Sequence, residues 1–331
     1  MQERDLIQSI AKRAQSTSTL LKIGIGDDCA IFHAVKSDDW LVSADMLVEG
    51  VHFNSSWHAP YLLGRKALAV NLSDIAAMGG TPQFVLLCLA LPASCGETWI
   101  AKFMDGFFSL LTEHECLLIG GDTVSSETLT ISVTVIGTAP GGSAIRRSGA
   151  RMGDCVYVSG PLGSAAGGLY LLKNEANKVQ LMAGNYPALV QEHLNPSPKV
   201  ELGRLLQKSG MITAMQDISD GVATDLSHIA AASSVSAIIY ERNLPKHDQL
   251  MEMCNHLQLD LVDFQLRGGE DYQLLFTVKH DSCEELEQFV RTKFGQEIFR
   301  IGEISEGTGV RMVTRAGVVE DISYQGYEHR S

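Results

Sequence analysis

The sequence has little positive charge and no long apolar run. Its 26 Lys and Arg residues stand against 39 Asp and Glu residues, so the formal net charge is −13. A nucleic-acid groove and a polybasic membrane patch both need a basic surface, and neither is expected here. The longest clean apolar run, residues 84–91, is far too short to cross a bilayer, and the first residues lack an apolar signal core. We therefore expect no nucleic-acid partner and no membrane partner.

Paired cysteines are also missing. The seven cysteines are odd in number, and no two of them have the C-x-x-C spacing. This pattern argues against a disulfide framework and against a zinc ribbon. Several cysteines lie within apolar runs, as Cys88 does, where a free thiol behaves as a small hydrophobic side chain. A reducing compartment fits best, so we predict a cytoplasmic protein.

The common catalytic signatures are absent as well. The chain has no G-x-x-x-x-G-K-[ST] phosphate loop, no H-E-x-x-H metal motif and no G-x-S-x-G nucleophile elbow. The segment Gly24-Ile25-Gly26 lacks the third glycine of a dinucleotide-binding fingerprint. These absences argue against the P-loop, zincin, α/β-hydrolase and Rossmann classes.

What the chain does contain is a series of aspartates that follow short apolar runs. The run 117–119 is followed by Gly120-Gly121-Asp122, where glycine permits positive φ and close approach of a ligand. We predict a strand that ends there, with Asp122 at its carboxyl end, where open α/β sheets bind ligands. A second predicted strand, 41–44, ends in the same way at Asp45. Similar short segments end at Asp27-Asp28, Asp74 and Asp220, and Asp217 lies within the last of them.

The hydrophobic pattern alternates between strands and helices along both halves of the chain. The periodicity predicts helices over 4–16, 60–78 and 97–114, an extended piece over 47–53, and a helix from 221 to about 232. A chain of 331 residues favours two domains. The Gly-rich, basic stretch 139–150 is the best boundary, so we predict domains 1–140 and 141–331. The fold class is α/β, of the α+β type.

A site that collects several carboxylates needs cations, because neighbouring ionised carboxylates repel. Oxygen ligands favour Mg²⁺ or Ca²⁺ over zinc, and no EF-hand spacing is present. The pattern predicts a metal-dependent α/β enzyme that handles phosphate. Each aspartate taken alone has an ordinary interpretation. Asp220 could cap the following helix, Asp74 could be a solvated helical side chain, and the other aspartates could be turn residues.

Seven motifs occur in order over almost the whole chain, and their combination is specific. They are residues 24–30, 45–53, 66–79, 120–123, 147–150, 218–221 and 268–272. Together they closely resemble the thiamine-monophosphate kinase family, part of the aminoimidazole-ribonucleotide-synthetase-like superfamily. The resemblance implies an N-terminal α/β domain whose sheet is completed across a homodimer, and a C-terminal α/β domain that closes over the nucleotide. It implies phosphorylation of thiamine monophosphate to thiamine diphosphate by ATP, with several Mg²⁺ ions.

The resemblance also implies roles for individual residues. One position departs from the family pattern, because Ala44 stands where the family commonly has Thr. A backbone carbonyl ligand would survive that change. Asp27 is a neighbour of the site without an assigned role, and no side-chain base is expected. The implied metal ligands are Asp28, Ser43, Ala44, Asp45, Asp74, Asp122, Asp217 and Asp220; the ATP contacts are Gly121, Asp122, Arg147 and Ser219; and the substrate contacts are His52, Glu270 and Tyr327.

Two alternatives stay open from the sequence. The chain could be another ATP-dependent synthetase or kinase of the same superfamily, acting on a different acceptor. It could also be a sensor that binds a nucleotide or thiamine phosphates without turnover. Release of ADP separates an enzyme from a sensor, and the choice of acceptor separates one superfamily member from another.

Overall fold

The computed structural model describes residues 12–14, 20–23, 31–32, 37–173 and 184–327. The chain divides into two compact units. The first comprises residues 1–75 and 80–143, and the second comprises residues 76–79 and 144–331. Most of the helix predicted over 4–16 lies outside the described residues, and so do Asp27 and Asp28.

The first unit is built on a mixed sheet. In the described chain this sheet has four strands in the order β3-β6-β4-β5, in which only the β4–β5 pair is parallel. A small antiparallel pair, β1 with β2, precedes it. The strands are β1 Leu21–Ile23, β2 Ile31–Phe32, β3 Asp38–Val48, β4 Thr81–Leu91, β5 Leu117–Ser125 and β6 Thr130–Pro140, and the helices are α1 Pro60–Ala77 and α2 Glu97–Glu113.

Strand β6 shows why this sequence folds into a sheet with one buried face. Ile131, Val133 and Val135 are buried, and the polar residues Ser132 and Thr134 alternate with them. A period of two places the apolar side chains on one face of the strand. The two helices approach each other closely, because a Cβ atom at Gly106 of α2 would lie 1.8 Å from the carbonyl oxygen of Tyr61 in α1. Only glycine fits at that crossing.

Two predicted strand ends are wrong. Strand β5 continues through Gly120, Gly121 and Asp122 to Ser125, so Asp122 lies inside a strand. Strand β3 likewise continues through Asp45 to Val48. In both cases the neighbouring strand continues the backbone pairing, with Gly121 opposite Leu87 and Asp45 opposite Val133. Pairing between strands therefore outweighs the local preference of Gly and Asp for turns.

The predicted extended piece over 47–53 is also corrected. Its first two residues complete β3, and a tight turn follows with Gly50 at φ +83°. The backbone N–H groups of Val51 and His52 both donate to the carbonyl oxygen of Val48, at 3.1 and 3.0 Å. This turn places His52 directly beside the end of β3.

We predict that Gly121→Ala destabilises the first unit by at least about 3 kcal/mol, because two costs add. Gly121 has φ +151°, and a Cβ atom there would lie 1.8 Å from the carbonyl oxygen of Leu87. The unfavourable φ alone costs about 1–3 kcal/mol, and the clash would force β4 and β5 apart. Gly50→Ala is the matched control, since it has φ +83° with no atom within 4 Å of the added Cβ. Urea unfolding should show the larger loss for Gly121→Ala, and equal losses would contradict the close strand contact.

The second unit is built on a larger sheet. In the described residues it has seven strands, in the order β13-β12-β9-β11-β7-β10-β8, and every pair except β12–β9 is antiparallel. The strands are β7 Cys155–Val158, β8 Ile212–Asp217, β9 Ser236–Tyr240, β10 Leu274–Val278, β11 Phe299–Ser305, β12 Val310–Val313 and β13 Val319–Asp321.

Helices flank this sheet and bury its apolar strands. Strand β10 is buried over all five of its residues, and it pairs with β7 on one side and β8 on the other. The short helices α4 and α8 were not predicted from the pattern. The helices are α3 Ser164–Lys173, α4 Pro187–Leu194, α5 Val200–Ser209, α6 Val222–Ser233, α7 Asp248–Leu257, α8 Leu261–Arg267 and α9 Cys283–Phe294.

Candidate functional site

The first unit brings Ser43 and Asp45 of β3 against helix α1. The hydroxyl of Ser43 donates to Oδ2 of Asp74. The backbone N–H of Asp45 donates to Oδ1 of Asn71 at 2.9 Å, and the Asn71 amide donates to the carbonyl oxygen of Ala67 at 3.1 Å. Asn71 and Asp74 are three residues apart and so share one face of the helix. The buried Asn71 therefore fixes β3 to the helix, and Asp74 faces the strand.

The carboxylates of Asp45 and Asp74 are electrostatically coupled. Partial burial, followed by the charge of Asp74, raises the pKa of Asp45 from 3.8 to about 6. Asp45 as a residue remains exposed to solvent, so the loss of hydration is incomplete. A carboxylate whose pKa is raised by a second carboxylate nearby also favours a bound cation. Together with the Ser43 hydroxyl they form a set of hard oxygen donors, which fits Mg²⁺ better than a softer metal.

Gly121 and Asp122 lie on β5, which is separated from β3 by β6 and β4 in the same sheet. The register places Asp45, Val133, Leu87 and Gly121 in one row across the four strands. Asp122 is one position further along β5, and its Oδ1 accepts a hydrogen bond from the N–H of Thr123 at 2.8 Å. Ala44 is exposed on β3. The sheet therefore holds all of these predicted residues within adjacent rows.

The turn after β3 orients His52. The backbone N–H of Val48 donates to Nδ1 of His52 at 3.1 Å. Because Nδ1 accepts this hydrogen bond, the proton of the neutral ring is assigned to Nε2. Glu49 is held in the same turn, since its Oε1 accepts from the N–H of Ser55 at 3.3 Å. The turn thus presents an imidazole N–H donor next to the strand that carries Asp45.

Three separate segments of the second unit converge beyond the end of β8. The N–H of Glu270 donates to the carbonyl oxygen of Ser219 at 2.8 Å, and the N–H of Tyr327 donates to that of Asp220 at 2.8 Å. Asp217 is the last residue of β8, a strand that was not predicted. The structure therefore brings together four predicted residues from distant parts of the sequence: Ser219, Asp220, Glu270 and Tyr327.

Asp225 is a buried carboxylate of this site that the sequence interpretation missed. Its Oδ2 accepts from the N–H groups of Asp220 and Gly221, each at 3.1 Å, and its Oδ1 accepts from Gln216 at 2.8 Å. Burial, followed by the charges of Asp217 and Asp220, raises the pKa of Asp225. The residue before α6 is Gly221, and no side chain caps the helix there. The alternative interpretation of Asp220 as that cap is therefore wrong.

Arg147 lies close enough to His228 of α6 for its charge to act on the ring. Its carbonyl oxygen accepts from the hydroxyl of Ser233 at 3.3 Å. Burial and then the Arg147 charge lower the pKa of His228, whereas Asp220 acts in the opposite direction. The charges of Arg147 and Asp220 therefore act on the His228 ring in opposite directions.

The loop that carries Glu270 has an unusual backbone. Glu270 has φ +67° and Tyr272 has φ +47°, both in the left-handed region that non-glycine residues rarely adopt. Nδ1 of His193, in helix α4, lies 3.0 Å from Oε2 of Glu270. The His193 side chain is 1% exposed and that of Glu270 is 24% exposed. His193 was not predicted, because nothing in the local sequence of α4 links it to a loop 77 residues later.

Asp271 is the buried neighbour of Glu270. Its carboxylate accepts from the N–H groups of Gly163 and Ala165, at 2.5 and 3.1 Å, and so holds the start of α3. Burial raises the pKa of Asp271 from 3.8 to about 7, against the opposing effect of these hydrogen bonds. The loop 268–272 is thus anchored on one side by Asp271, while Glu270 stays partly exposed.

We predict that Asp271 makes stability depend on pH. Its raised pKa means that the folded protein binds more protons than the unfolded chain between about pH 4 and pH 7. Its contribution to the free energy of unfolding therefore falls as pH rises through that window, by up to about 4 kcal/mol. Urea unfolding at pH 5, 6 and 7 gives the free energy of unfolding of wild type and of Asp271→Asn. The wild-type value minus the variant value should fall as pH rises. A difference in the free energy of unfolding that is constant or rises with pH would contradict the raised pKa of Asp271.

Within the described ranges, no group of three or more His, Cys, Asp or Glu side chains lies close enough to hold a metal ion. Asp28, a predicted ligand, is outside those ranges. The complete set of eight ligands therefore stays a prediction. Among the described residues, no helix is both long enough and apolar enough to span a membrane.

Comparison with known proteins matches both halves of the chain to one superfamily. Residues 26–139 match the family of AIR synthase related protein N-terminal domains, and residues 151–315 match the corresponding C-terminal domain family. The chain is 39% identical to the thiamine-monophosphate kinase of Bacillus subtilis (strain 168), over 99% of both chains. These matches confirm the predicted architecture of two α/β domains.

Solved structures agree with the sequence matches. The structure of thiamine-monophosphate kinase from Stenotrophomonas maltophilia K279a is 39% identical, with a TM-score of 0.83, and covers 94% of this chain and 96% of that one. The structure of AaThiL complexed with AMPPCP and TMP is 34% identical, with a TM-score of 0.73, and covers 93% of this chain and 91% of that one.

Proposed function

Because this chain belongs to the thiamine-monophosphate kinase family, we propose that it transfers a phosphoryl group from ATP to thiamine monophosphate. The products are ADP and thiamine diphosphate. The observation that carries the proposal is the similarity over the whole chain, combined with the convergence of Ser219, Asp220, Glu270 and Tyr327 at one place in the second unit.

The residues divide by role. Ser43, Asp45 and Asp74 would hold Mg²⁺ in the first unit, where the raised pKa of Asp45 supports a place for a cation. Glu270 carries a partly exposed carboxylate that suits the aminopyrimidine or the cationic thiazolium of the acceptor. The remaining roles are proposed from the family resemblance: metal binding by Asp28, Ala44, Asp122, Asp217 and Asp220, ATP binding by Gly121, Asp122, Arg147 and Ser219, and substrate binding by His52 and Tyr327.

The acceptor explains why no side-chain base is needed. Thiamine monophosphate is a phosphate monoester with a second pKa near ~6, so its attacking oxygen is largely ionised at neutral pH. The barrier is then mainly the repulsion between this dianion and the phosphate tail of ATP. Bound Mg²⁺ would supply the charge that neutralises this repulsion. The chain's own part is positioning, as in other phosphoryl transfers, with the acceptor in line with the group transferred.

Two residues would contribute positive charge or hydrogen-bond donors to the phosphates. Arg147 can present a planar, bidentate donor to phosphate oxygens. Its charge and that of Asp220 both act on His228, which supports a role for it beside the Asp220 turn. The assigned Nε2 proton of His52 suits contact with an acceptor phosphate oxygen. Both groups would orient phosphates without themselves taking a proton.

The wider organisation is also part of the proposal. Residues 1–140 would bind ATP and Mg²⁺ and form the dimer, and residues 141–331 would close over nucleotide and substrate. A homodimer is supported by exposed apolar side chains on the first sheet, since Val42 and Met46 of β3 are 67% and 55% exposed and Val124 of β5 is 52% exposed. The absence of paired cysteines supports a cytoplasmic location, and the net charge of −13 argues against nucleic acid as a partner.

The direct test is ADP release by the purified protein with a panel of acceptors. Thiamine, thiamine monophosphate and the acceptors of other superfamily members should each be offered with ATP, with and without Mg²⁺. We expect release only with thiamine monophosphate and Mg²⁺. Turnover with another acceptor alone would identify a different superfamily member, and calorimetric binding without any ADP release would identify a sensor.

A further inference from the structure

We propose that His193 is a positioning residue that holds the Glu270 carboxylate in place and so sets the affinity for the acceptor. The inference rests on the proposed function, because it concerns the substrate site of that reaction. It adds a residue from helix α4 to the second-unit cluster of Ser219, Asp220, Glu270 and Tyr327.

The first support is the contact itself. Nδ1 of His193 lies 3.0 Å from Oε2 of Glu270, within ion-pair distance. The two atoms are at ion-pair distance but not in hydrogen-bond geometry, so the contact is electrostatic and is favourable when Nδ1 carries a proton. The His193 side chain is 1% exposed, whereas Glu270 keeps 24% of its side chain exposed. The imidazole is therefore behind the carboxylate, and the rest of the carboxylate remains accessible to a ligand.

The second support is the rigidity of both partners. A Cβ atom at Gly168 of α3 would lie 3.1 Å from Cβ of His193 and 2.1 Å from the carbonyl oxygen of Leu189. Helix α3 is thus in close contact with the backbone of α4 at Leu189 and with the Cβ atom of His193. On the other side, the N–H of Glu270 is fixed by the carbonyl oxygen of Ser219 at 2.8 Å. His193 adds a second fixed point, at the end of the Glu270 side chain.

The third support is the cost of the Glu270 conformation. A non-glycine residue at φ +67° is strained and persists only where its surroundings impose that conformation. Such strain is found at sites where a side chain must be aimed before the ligand arrives. A long Glu side chain still has three rotatable bonds, and holding it in one rotamer reduces the entropy lost on binding. The buried imidazole supplies that restraint.

The chemistry of the ligand follows from the chemistry of the carboxylate. With one oxygen engaged by His193, the partly exposed group offers acceptor positions to an N–H donor or a positive charge. The amino group of a pyrimidine and a thiazolium ring both fit, whereas the polyphosphate of ATP does not. Loss of His193 should therefore affect the acceptor and leave ATP binding unchanged.

The test uses variants that separate the Nδ1 contact from the volume of the ring. His193→Asn places an amide donor near the position of Nδ1, whereas His193→Gln places it further out and His193→Leu removes it. We expect KM for thiamine monophosphate to rise about 10-fold in the Gln and Leu variants and less than about threefold in the Asn variant. The KM for ATP should stay within about twofold in all three.

A matched control and a double mutant distinguish positioning from packing. Tyr186 lies immediately before α4, and its hydroxyl contacts Nδ1 of His256 at 3.3 Å. Tyr186→Phe removes this buried hydroxyl and should leave both KM values unchanged. In a Glu270→Gln background, His193→Leu should add less than about twofold to KM, because the residue acts through Glu270. Thermal unfolding verifies that each variant is folded. If His193→Leu does not fold, KM for thiamine monophosphate in His193→Asn is compared with that in His193→Gln, and this comparison tests the positioning role.

Equal KM values for thiamine monophosphate in wild type, His193→Gln and His193→Asn would overturn the inference. So would a full 10-fold effect of His193→Leu in the Glu270→Gln background. Failure of the proposed function looks different, because the wild-type protein itself would then show no thiamine monophosphate phosphorylation.

Discussion

Asp45→Asn should lower kcat by more than about 100-fold while the fold is retained. The substitution keeps the size of the side chain and removes the charge that the coupled pair with Asp74 uses to hold a cation. Loss of a residue that merely supports a metal ligand typically costs 10–100-fold, so loss of a direct ligand should cost more. The measurement is steady-state ADP release at saturating ATP and thiamine monophosphate, with unfolding in urea as the test of stability.

Asp39→Asn is the matched control on the same strand. Asp39 accepts a hydrogen bond from the N–H of Gly142 at 2.8 Å, away from Ser43, Asp45 and Asp74. We expect kcat within about twofold of wild type, because a hydrogen bond of this kind contributes mainly to stability, by about 1 kcal/mol. A folded Asp45→Asn enzyme with kcat close to that of Asp39→Asn would contradict the cation site in the first unit.

Glu270→Gln should raise KM for thiamine monophosphate by about 10-fold or more and leave KM for ATP nearly unchanged. A hydrogen bond or charge contact with an ionised carboxylate contributes about 1.5–3 kcal/mol, which corresponds to this range. The amide keeps the shape of the side chain, so the strained backbone at φ +67° is not disturbed further. Both KM values should be measured by varying one substrate while the other is saturating.

Glu241→Gln provides the control in the same unit. Glu241 forms an ion pair with Arg315 at 3.0 Å, and neither residue belongs to the predicted site. A surface ion pair of this kind contributes little, so both KM values should match wild type. If Glu270→Gln raised the two KM values equally, Glu270 would not be specific to the acceptor side of the site.

The sequence was informative where local chemistry determined local structure. The helix that carries Asn71 and Asp74 was predicted to within a residue at its end, because its apolar periodicity is continuous up to the glycines at 79 and 80. The shared helical face of Asn71 and Asp74 is confirmed by their contacts with β3.

The sequence was misleading where a partner strand decided the outcome. Gly120 and Gly121 resemble a turn, yet β5 continues past them, because β4 pairs with it up to Ser125. In the same way, β3 continues through Asp45 because β6 pairs with it there, with Val133 opposite Asp45. Such contacts join residues far apart in the chain, and the local pattern carries no signal of them.

Buried polar partners were missed for a related reason. Asp225 supports the Asp220 turn, and His193 contacts Glu270 from another helix. Each stands within an apolar helical pattern that is equally typical of an ordinary core helix. A carboxylate in the first turn of a helix that follows Ser-Asp-Gly was a weak signal for Asp225. The sequence contained no such signal for His193.

The most direct test of the account is the identity of the product. Phosphorus NMR of the purified protein with ATP, thiamine monophosphate and Mg²⁺ should show the two coupled phosphate signals of thiamine diphosphate growing in step with ADP, one for one. Chelation of Mg²⁺ should stop both. ADP that accumulates together with inorganic phosphate, and without thiamine diphosphate, would contradict the proposed transfer.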